Sequence, residues 1–142
     1  MVIPDVNMLL YAYDLDSSLH RQAREWLENV LASEQVFLSW HTITGFLRIV
    51  TNTKIMKTPA SIQDAVEAVE GWLSLSNVYL INLDKQSWHI YSRMLVESQS
   101  SGNLVMDAHL ASLAASCGAT LASTDLDFTR FSNIQFVNPL RP

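Results

Sequence analysis

The sequence predicts a three-layer α/β/α fold built around a central parallel sheet. Short apolar segments alternate along the chain with segments whose apolar residues recur every three or four positions. This alternation is typical of β-α-β units, whose right-handed crossovers place helices on both faces of a parallel sheet. Because the chain has 142 residues, of which 49% are hydrophobic, we expect a single domain over residues 1–142.

The first half of the chain contains two predicted strands and four predicted helices. An apolar run closed by Pro4 and Asp5 predicts the first strand, and Asn7 is placed to cap the helix that follows it. A second strand is predicted over 36–38. The helical period predicts helices over 8–13, 20–31, 42–50 and a segment that begins at Ser61 with Asp64.

The second half continues the same alternation. Strands are predicted over 78–83, 120–123 and 135–137, and helices over 86–99 and 105–117. The pair Gly102 and Asn103 predicts a break before the last helix, and Gly118 is expected to end it. A turn is predicted through 125–127.

Composition excludes several classes of protein. The single cysteine cannot form an intrachain disulfide, and no Cys/His cluster has zinc spacing. No basic segment precedes an apolar one at the start, and the longest charge-free stretch, 108–124, is too polar for a membrane span, so we expect a cytoplasmic protein. The net charge of −5 argues against a broad basic surface for nucleic acid, although cations bound to clustered carboxylates would reverse the local sign.

Four carboxylates are expected at one edge of the sheet. Asp5 closes the first strand, Asp125 and Asp127 follow the fourth, and Asp107 is expected in the first turn of the helix before that strand. Ligands of open α/β sheets bind where the carboxyl ends of the strands converge. Clustered carboxylates repel one another unless protons or a cation neutralise them, and an all-oxygen set suits Mg²⁺ or Mn²⁺.

Three of these residues also have a purely structural interpretation. Asp5 could cap the first helix, Asp107 could complement a helix dipole, and Asp125 could cap the turn before Phe128. Their shared place at strand ends favours the metal site. Such an ion can activate a water and stabilise charge on a phosphodiester.

Four segments resemble the PIN domain, and more narrowly the VapC-type toxin ribonucleases: VIPDVNMLLYA (2–12), FLRIVT (46–51), GNLVMDAHLA (102–111) and STDLDF (123–128). The resemblance implies a Mg²⁺- or Mn²⁺-dependent endoribonuclease, the toxin of a toxin-antitoxin pair. It also implies a homodimer that acts on RNA and is blocked by a cognate VapB-like antitoxin. Family metal ligands correspond to Asp5, Asp107 and Asp125, which would also be the catalytic residues, with Asp127 a further ligand or a supporting partner.

The chain departs from the family at Gly45, where many members carry a glutamate three residues before the position of Arg48. The missing acid predicts one tightly held ion at Asp5 and Asp107 and a weak second site. It also leaves open an alternative, a PIN-like domain with an impaired acidic site that serves as a non-catalytic RNA- or protein-binding module. A third interpretation, a small-molecule phosphohydrolase, lacks the specificity groups of a deep pocket.

Other conspicuous residues have ordinary explanations. The segment 125–129 fits the DxDxT pattern of haloacid-dehalogenase-type phosphotransferases, but that motif opens its domain and here stands near the end of the chain. We interpret the scattered histidines, His109 included, as ordinary surface or core residues, and most of the tryptophans as core or dimer contacts. Three residues form a modest basic cluster that could contact RNA phosphates or simply be solvated: Arg48, Lys54 and Lys57.

Overall fold

The computed structural model describes residues 1–141 and contains one five-stranded sheet. All neighbouring strands are parallel, in the order β3-β2-β1-β4-β5. The strands are β1 Val2–Pro4, β2 Val36–Ser39, β3 Val78–Ile81, β4 Thr120–Ala122 and β5 Gln135–Val137. The helices are α1 Val6–Tyr13, α2 His20–Ser33, α3 Trp40–Val50, α4 Ile62–Leu73, α5 Trp88–Glu97 and α6 Asn103–Cys117, with 3₁₀ turns at Lys85–Ser87 and Leu126–Arg130.

Helices cover both faces of the sheet, as predicted. Successive side chains of a strand point to opposite faces, so Val2 joins one apolar cluster and Ile3 the other. The first cluster packs β1 and β2 against α1 to α4, and the second packs β1 and β4 against α5 and α6. Because both faces are buried, the strands consist of short apolar runs rather than alternating ones.

Two predictions about helix starts were wrong. Asp5, rather than Asn7, caps α1, which begins at Val6, and the Asp5 carboxylate accepts a hydrogen bond from the Val6 N–H at 2.7 Å. Asp107 lies in the second turn of α6, because that helix begins at Asn103, directly after Gly102, whose φ of +58° suits glycine. The predicted cap at Ser61 is confirmed, since its hydroxyl accepts from the Asp64 N–H at 3.1 Å.

Three segments of the second half differ from their predicted shapes. The strand predicted over 78–83 ends at Ile81, and the helix predicted over 86–99 is preceded by a separate 3₁₀ turn before α5. The predicted turn at 125–127 is the start of a 3₁₀ helix capped by Asp125. Gly118 ends α6 in the left-handed region at φ +65°, as expected. Within residues 1–141, no helix has the length and apolar character that crossing a bilayer would require.

Candidate active site

The carboxyl ends of the parallel strands form the edge of the sheet that carries the acidic residues. Asp5 directly follows β1, and Ser123 with Asp125 follows β4. The Asp5 N–H donates to the Ala122 carbonyl at 2.9 Å, which joins the ends of these two neighbouring strands. Strand pairing therefore brings together residues that lie more than a hundred positions apart in the sequence.

Ser123 is a fully buried hydroxyl that links the two strand ends. It donates to the second carboxylate oxygen of Asp5 at 2.8 Å and accepts from the Asp125 N–H at 3.0 Å. The Asn7 side-chain amide also donates to this hydroxyl, at 3.1 Å. Ser123 therefore orders both the Asp5 carboxylate and the backbone at Asp125. Asn7, which is not the cap it was predicted to be, supports the same network.

Three carboxylates form a compact cluster at this edge. Each of Asp107, Asp125 and Asp127 offers one oxygen, and these oxygens all lie within 4.8 Å of one another. The start of α6 positions Asp107, and the 3₁₀ helix positions the other two, because Asp125 accepts from the Asp127 N–H at 2.9 Å. Asp5 stands outside this set of three. The ion that the sequence predicts at Asp5 and Asp107 stays a prediction, and the compact group of three contains only Asp107 of that pair.

The carboxylates at this edge perturb one another electrostatically. The pKa of Asp107 is raised to about 6, first by burial and then by the negative charges of Asp125, Asp5 and Asp127. Burial also raises the pKa of Asp5, against the hydrogen bonds from Ser123 and Val6 that lower it. A cation placed among these groups would relieve both effects.

The donor set fits a hard divalent cation. Three carboxylates converge closely enough to share one ion, and burial and then the neighbouring negative charges raise the pKa of Asp107 to about 6. Oxygen-only ligands without histidine or cysteine favour Mg²⁺ or Mn²⁺ over zinc. The same geometry agrees with the structural interpretations of Asp5 and Asp125, which do cap the elements that follow them. Capping uses one oxygen of each carboxylate, and the other oxygen of Asp5 accepts from Ser123.

Gly45, where the family carries an acid, lies close to this edge. A Cβ added at Gly45 would come within 3.3 Å of a Val6 methyl carbon, next to Asp5 in the chain. That is a tight contact, so a larger side chain at position 45 requires Val6 to move by a few tenths of an ångström. Position 45 therefore faces the start of α1, and restoring the acid carries a steric cost that the sequence did not indicate.

Two histidines that were expected to be ordinary surface or core residues lie beside the site. His41 follows β2 by two residues, and its positive charge lowers the pKa of Asp5. The rings of His41 and His109 are 6.0 Å apart, and the Nδ1 atom of His109 is buried with no hydrogen-bond partner among residues 1–141. Burial and then His41 lower the pKa of His109. The signal for His41 was its place directly after a strand.

The tryptophans do not share one environment. Trp26 and Trp72 are half-buried and pack against the first apolar cluster, as predicted. Trp88 is 62% exposed and Trp40 54% exposed, so Trp88 is not a core residue, and a dimer contact at Trp88 stays a prediction. Both exposed tryptophans begin helices that follow strand ends, on the edge that carries the carboxylates.

The three residues of the predicted basic cluster are exposed, and none of them lies at the start of α3 near His41. Arg48 lies two turns beyond His41 in α3, about 10 Å along the axis. Lys54 and Lys57 are in the following loop, where Thr58 donates a hydrogen bond to Asp16 at 2.8 Å. Among the described residues, no contact joins these three cations to the carboxylates, so the structure does not support a role for them there.

Comparison with known proteins agrees with this fold. The profile of the PIN domain family matches residues 2–134. Ribonuclease VapC33 of Mycobacterium tuberculosis is 32% identical over 142 residues, covering 99% of both chains. Ribonuclease VapC37 of the same organism is 34% identical over 140 residues, covering 98% of this chain and 97% of its own length. The crystal structure of VapBC2 from Rickettsia felis, bound to a DNA fragment from their promoter, has a TM-score of 0.71 at 20% identity and covers 97% of this chain and 98% of that chain.

The parallel sheet, the covering helices and the carboxylates at the strand ends define a class of α/β domain with an acidic edge. The chain belongs to the PIN domain family. Within that family it is similar, over nearly its whole length, to the VapC ribonucleases. The expected family and the expected fold are both confirmed.

Proposed function

We propose that this chain is an endoribonuclease that hydrolyses RNA phosphodiester bonds with a divalent cation, as the toxin of a toxin-antitoxin pair. The observation that carries the proposal is the convergence of Asp107, Asp125 and Asp127 at the strand ends of a PIN domain. Its curated relatives are named ribonucleases, which supports the reaction class. Because its substrate would be RNA, the chain would act in the cytoplasm, with residues 1–142 working as one domain.

The acidic residues at this edge would have different roles in binding the metal ion. Asp107, Asp125 and Asp127 would hold Mg²⁺ or Mn²⁺, and Asp5 would approach the same ion with the oxygen that Ser123 now contacts. A bound divalent cation supplies Lewis-acid activation of water and neutralises charge on the phosphate. Asp5, Asp107 and Asp125 are the proposed catalytic residues. Ser123 would keep the Asp5 carboxylate in place through its hydrogen bond.

Loss of one carboxylate tests the catalytic proposal directly. Asp107→Asn keeps the shape of the side chain but removes one negative charge from the cluster. We expect it to abolish Mn²⁺-dependent cleavage of RNA and to weaken Mn²⁺ binding in calorimetry. Glu25→Gln, which neutralises an exposed carboxylate on α2, is the matched control and should behave as the unmodified chain does. If Asp107→Asn cleaves RNA at the unmodified rate, the proposed site is wrong.

The proposed partner is a VapB-like antitoxin. Similar structures include VapBC2 of Rickettsia felis and VapBC-1 of Haemophilus influenzae, which supports a partner of this kind for the present chain. An acidic edge with uncompensated charge would accept an arginine or lysine from that partner in place of the cation. Co-purification of the chain with the product of a neighbouring gene is expected. Toxicity that every neighbouring gene product leaves unchanged would contradict the toxin assignment.

We further propose a homodimer, which sedimentation of the purified chain would detect. The alternative, a binding module with an impaired acidic site, rests on Gly45 alone. It is not favoured, because the three clustered carboxylates do not depend on position 45 and the curated relatives are ribonucleases.

A further inference from the structure

A row of four aromatic rings leads from the protein surface to the acidic edge. Trp88 stacks on Tyr91 with ring centres 5.9 Å apart and an interplanar angle of 23°. Tyr91 meets His109 edge to face at 5.5 Å, and His109 meets His41 in the same way at 6.0 Å. We call these four residues the aromatic row. Its spacings lie within the range of favourable aromatic contacts.

The inner end of the aromatic row lies at the proposed active site. His41 is near enough to Asp5 for its charge to act on that carboxylate, and His109 is two residues from Asp107 on α6. The outer end lies at the same edge of the sheet, because Trp88 begins the helix that follows β3. Both ends of the row therefore lie at the edge of the sheet that carries the carboxylates.

The outer end of the row is both rigid and open. The Tyr91 hydroxyl donates to the Val105 carbonyl at 2.8 Å, which fixes the ring against the first turn of α6. Trp88 rests one ring face on Tyr91 and is 62% exposed, so its other face is open to an incoming ring. A platform that is already held in place loses little conformational freedom when a ligand stacks on it.

The charges around Trp88 are mixed in sign. Lys85, His89 and Arg93 lie near it in the chain, between the carboxylates of Asp84 and Glu97. Arg93 pairs with Glu97 at 2.8 Å, whereas Lys85 is exposed and forms no ion pair within the part of the chain that the structure describes. Exposed rings beside free cations are typical of surfaces that bind single-stranded nucleic acid.

We propose that Trp88 is a base-stacking residue that receives an unpaired base of single-stranded RNA next to the carboxylate cluster, with Lys85 contacting the adjoining phosphate. This rests on the proposed ribonuclease function and assigns to it a residue that contacts a substrate base. A base in a duplex is already stacked on its neighbours and cannot lie on the indole. Stacking on Trp88 would therefore distinguish unpaired from base-paired RNA, and it would not distinguish one base from another.

Equilibrium binding without cleavage tests the stacking role. The probe is a fluorescein-labelled, mixed-sequence single-stranded RNA of about twelve nucleotides, within the size range of single-strand sites. Fluorescence anisotropy is measured in EDTA for the unmodified chain and for Trp88→Ala, Trp88→Phe and Val96→Ala. Val96 is an exposed apolar residue of the same helix outside the aromatic row, so its variant is the matched control. A second probe carries the same backbone with abasic positions.

We expect Trp88→Ala to weaken binding of the normal RNA by a factor of about 5 to 100, the cost of losing one stacked base. Trp88→Phe should retain most of the affinity, and Val96→Ala all of it. The abasic probe should bind all four proteins equally. Trp88 does not stack on a base if Trp88→Ala binds the normal RNA as tightly as the unmodified chain does. The same conclusion follows if Trp88→Ala loses affinity for the normal and the abasic RNA by the same factor.

Two further results separate this inference from its alternatives. If Trp88→Ala changes the sedimentation of the protein but not its RNA affinity, the surface contacts a second copy of the chain and the stacking role is overturned. If the unmodified chain cleaves RNA with Mn²⁺ while Trp88→Ala binds normally, only the stacking role fails. If the unmodified chain neither binds nor cleaves RNA, the ribonuclease function and the stacking role fail together.

Discussion

The clustered carboxylates should make the metal-free protein less stable at neutral pH than a variant that lacks one of them. The pKa of Asp107 rises from 3.8 to about 6 on folding, because burial and three neighbouring carboxylates disfavour its charged form. The native protein therefore binds the proton more tightly than the unfolded chain does. The associated stability is present below pH 4 and is lost as pH rises through about 6. Above that pH the ionised Asp107 opposes folding.

The size of this effect follows from the shift in the pKa of Asp107. A difference of about two pH units corresponds to roughly 3 kcal/mol, and partial exposure of the side chain to solvent reduces this to roughly 1–2 kcal/mol. Asp107→Asn removes the charge and keeps the shape. We expect it to raise the free energy of unfolding at pH 7 by that amount, equivalent to an increase in Tm of roughly 2–8 °C.

The assay is urea denaturation of the metal-free chain in EDTA from pH 4 to pH 7.5, with Asp107→Asn and the control Glu25→Gln. The advantage of Asp107→Asn should be largest at pH 7 and should disappear near pH 4, whereas Glu25→Gln should show no such pH dependence. Millimolar Mn²⁺ should reverse the order at pH 7, because only the unmodified cluster binds the ion tightly. An Asp107→Asn variant that is no more stable at pH 7, or equally favoured at pH 4, would refute the electrostatic explanation.

Three further outcomes are expected. Mg²⁺ or Mn²⁺ at a hundred times its Kd should stabilise the native chain by about 2.7 kcal/mol, and calorimetry that detects no binding at millimolar ion would contradict the metal site. Ser123→Ala should lower the free energy of unfolding, measured by urea denaturation, by about 1–3 kcal/mol, because Asp5 loses a buried donor. The control is Ser112→Ala, which removes a buried hydroxyl that bonds within its own helix and to a methionine. That variant should lose less stability. Equal losses would remove the special role of Ser123. Gly45→Glu should strengthen Mn²⁺ binding more than Gly45→Gln does, and equal effects would show that position 45 does not face the ion.

The Gly45 variants are best compared in two backgrounds. Either side chain at Gly45 must displace the Val6 methyl group that lies 3.3 Å from its Cβ position, and both gain helix propensity over glycine, so both should change stability by a similar amount. The substitution Val6→Ala relieves that contact. A difference between Glu and Gln that persists in the Val6→Ala background then measures the charge alone.

Most of the helices and strands, and their order, could be predicted from the sequence because each depends on short-range patterns. Helices α2, α3 and α4 show their apolar residues at helical spacing, and the caps at Ser61 and Gly118 use local chemistry. The errors occur where two local signals compete. Asp5 and Asn7 are both good capping residues, and only the end of β1 at Pro4 makes Asp5 the cap.

The sequence by itself determined the fold class, the family and the residue types of the acidic edge, because hydrophobic periodicity and motif order are encoded locally. Only the tertiary structure decided which carboxylates converge: Asp107, Asp125 and Asp127 form the compact group, and Asp5 joins through Ser123. It also decided that Trp88 and His41 lie at the same edge as these carboxylates. These relations arise from strand order and helix position, which bring distant residues together and which no local pattern in the chain records.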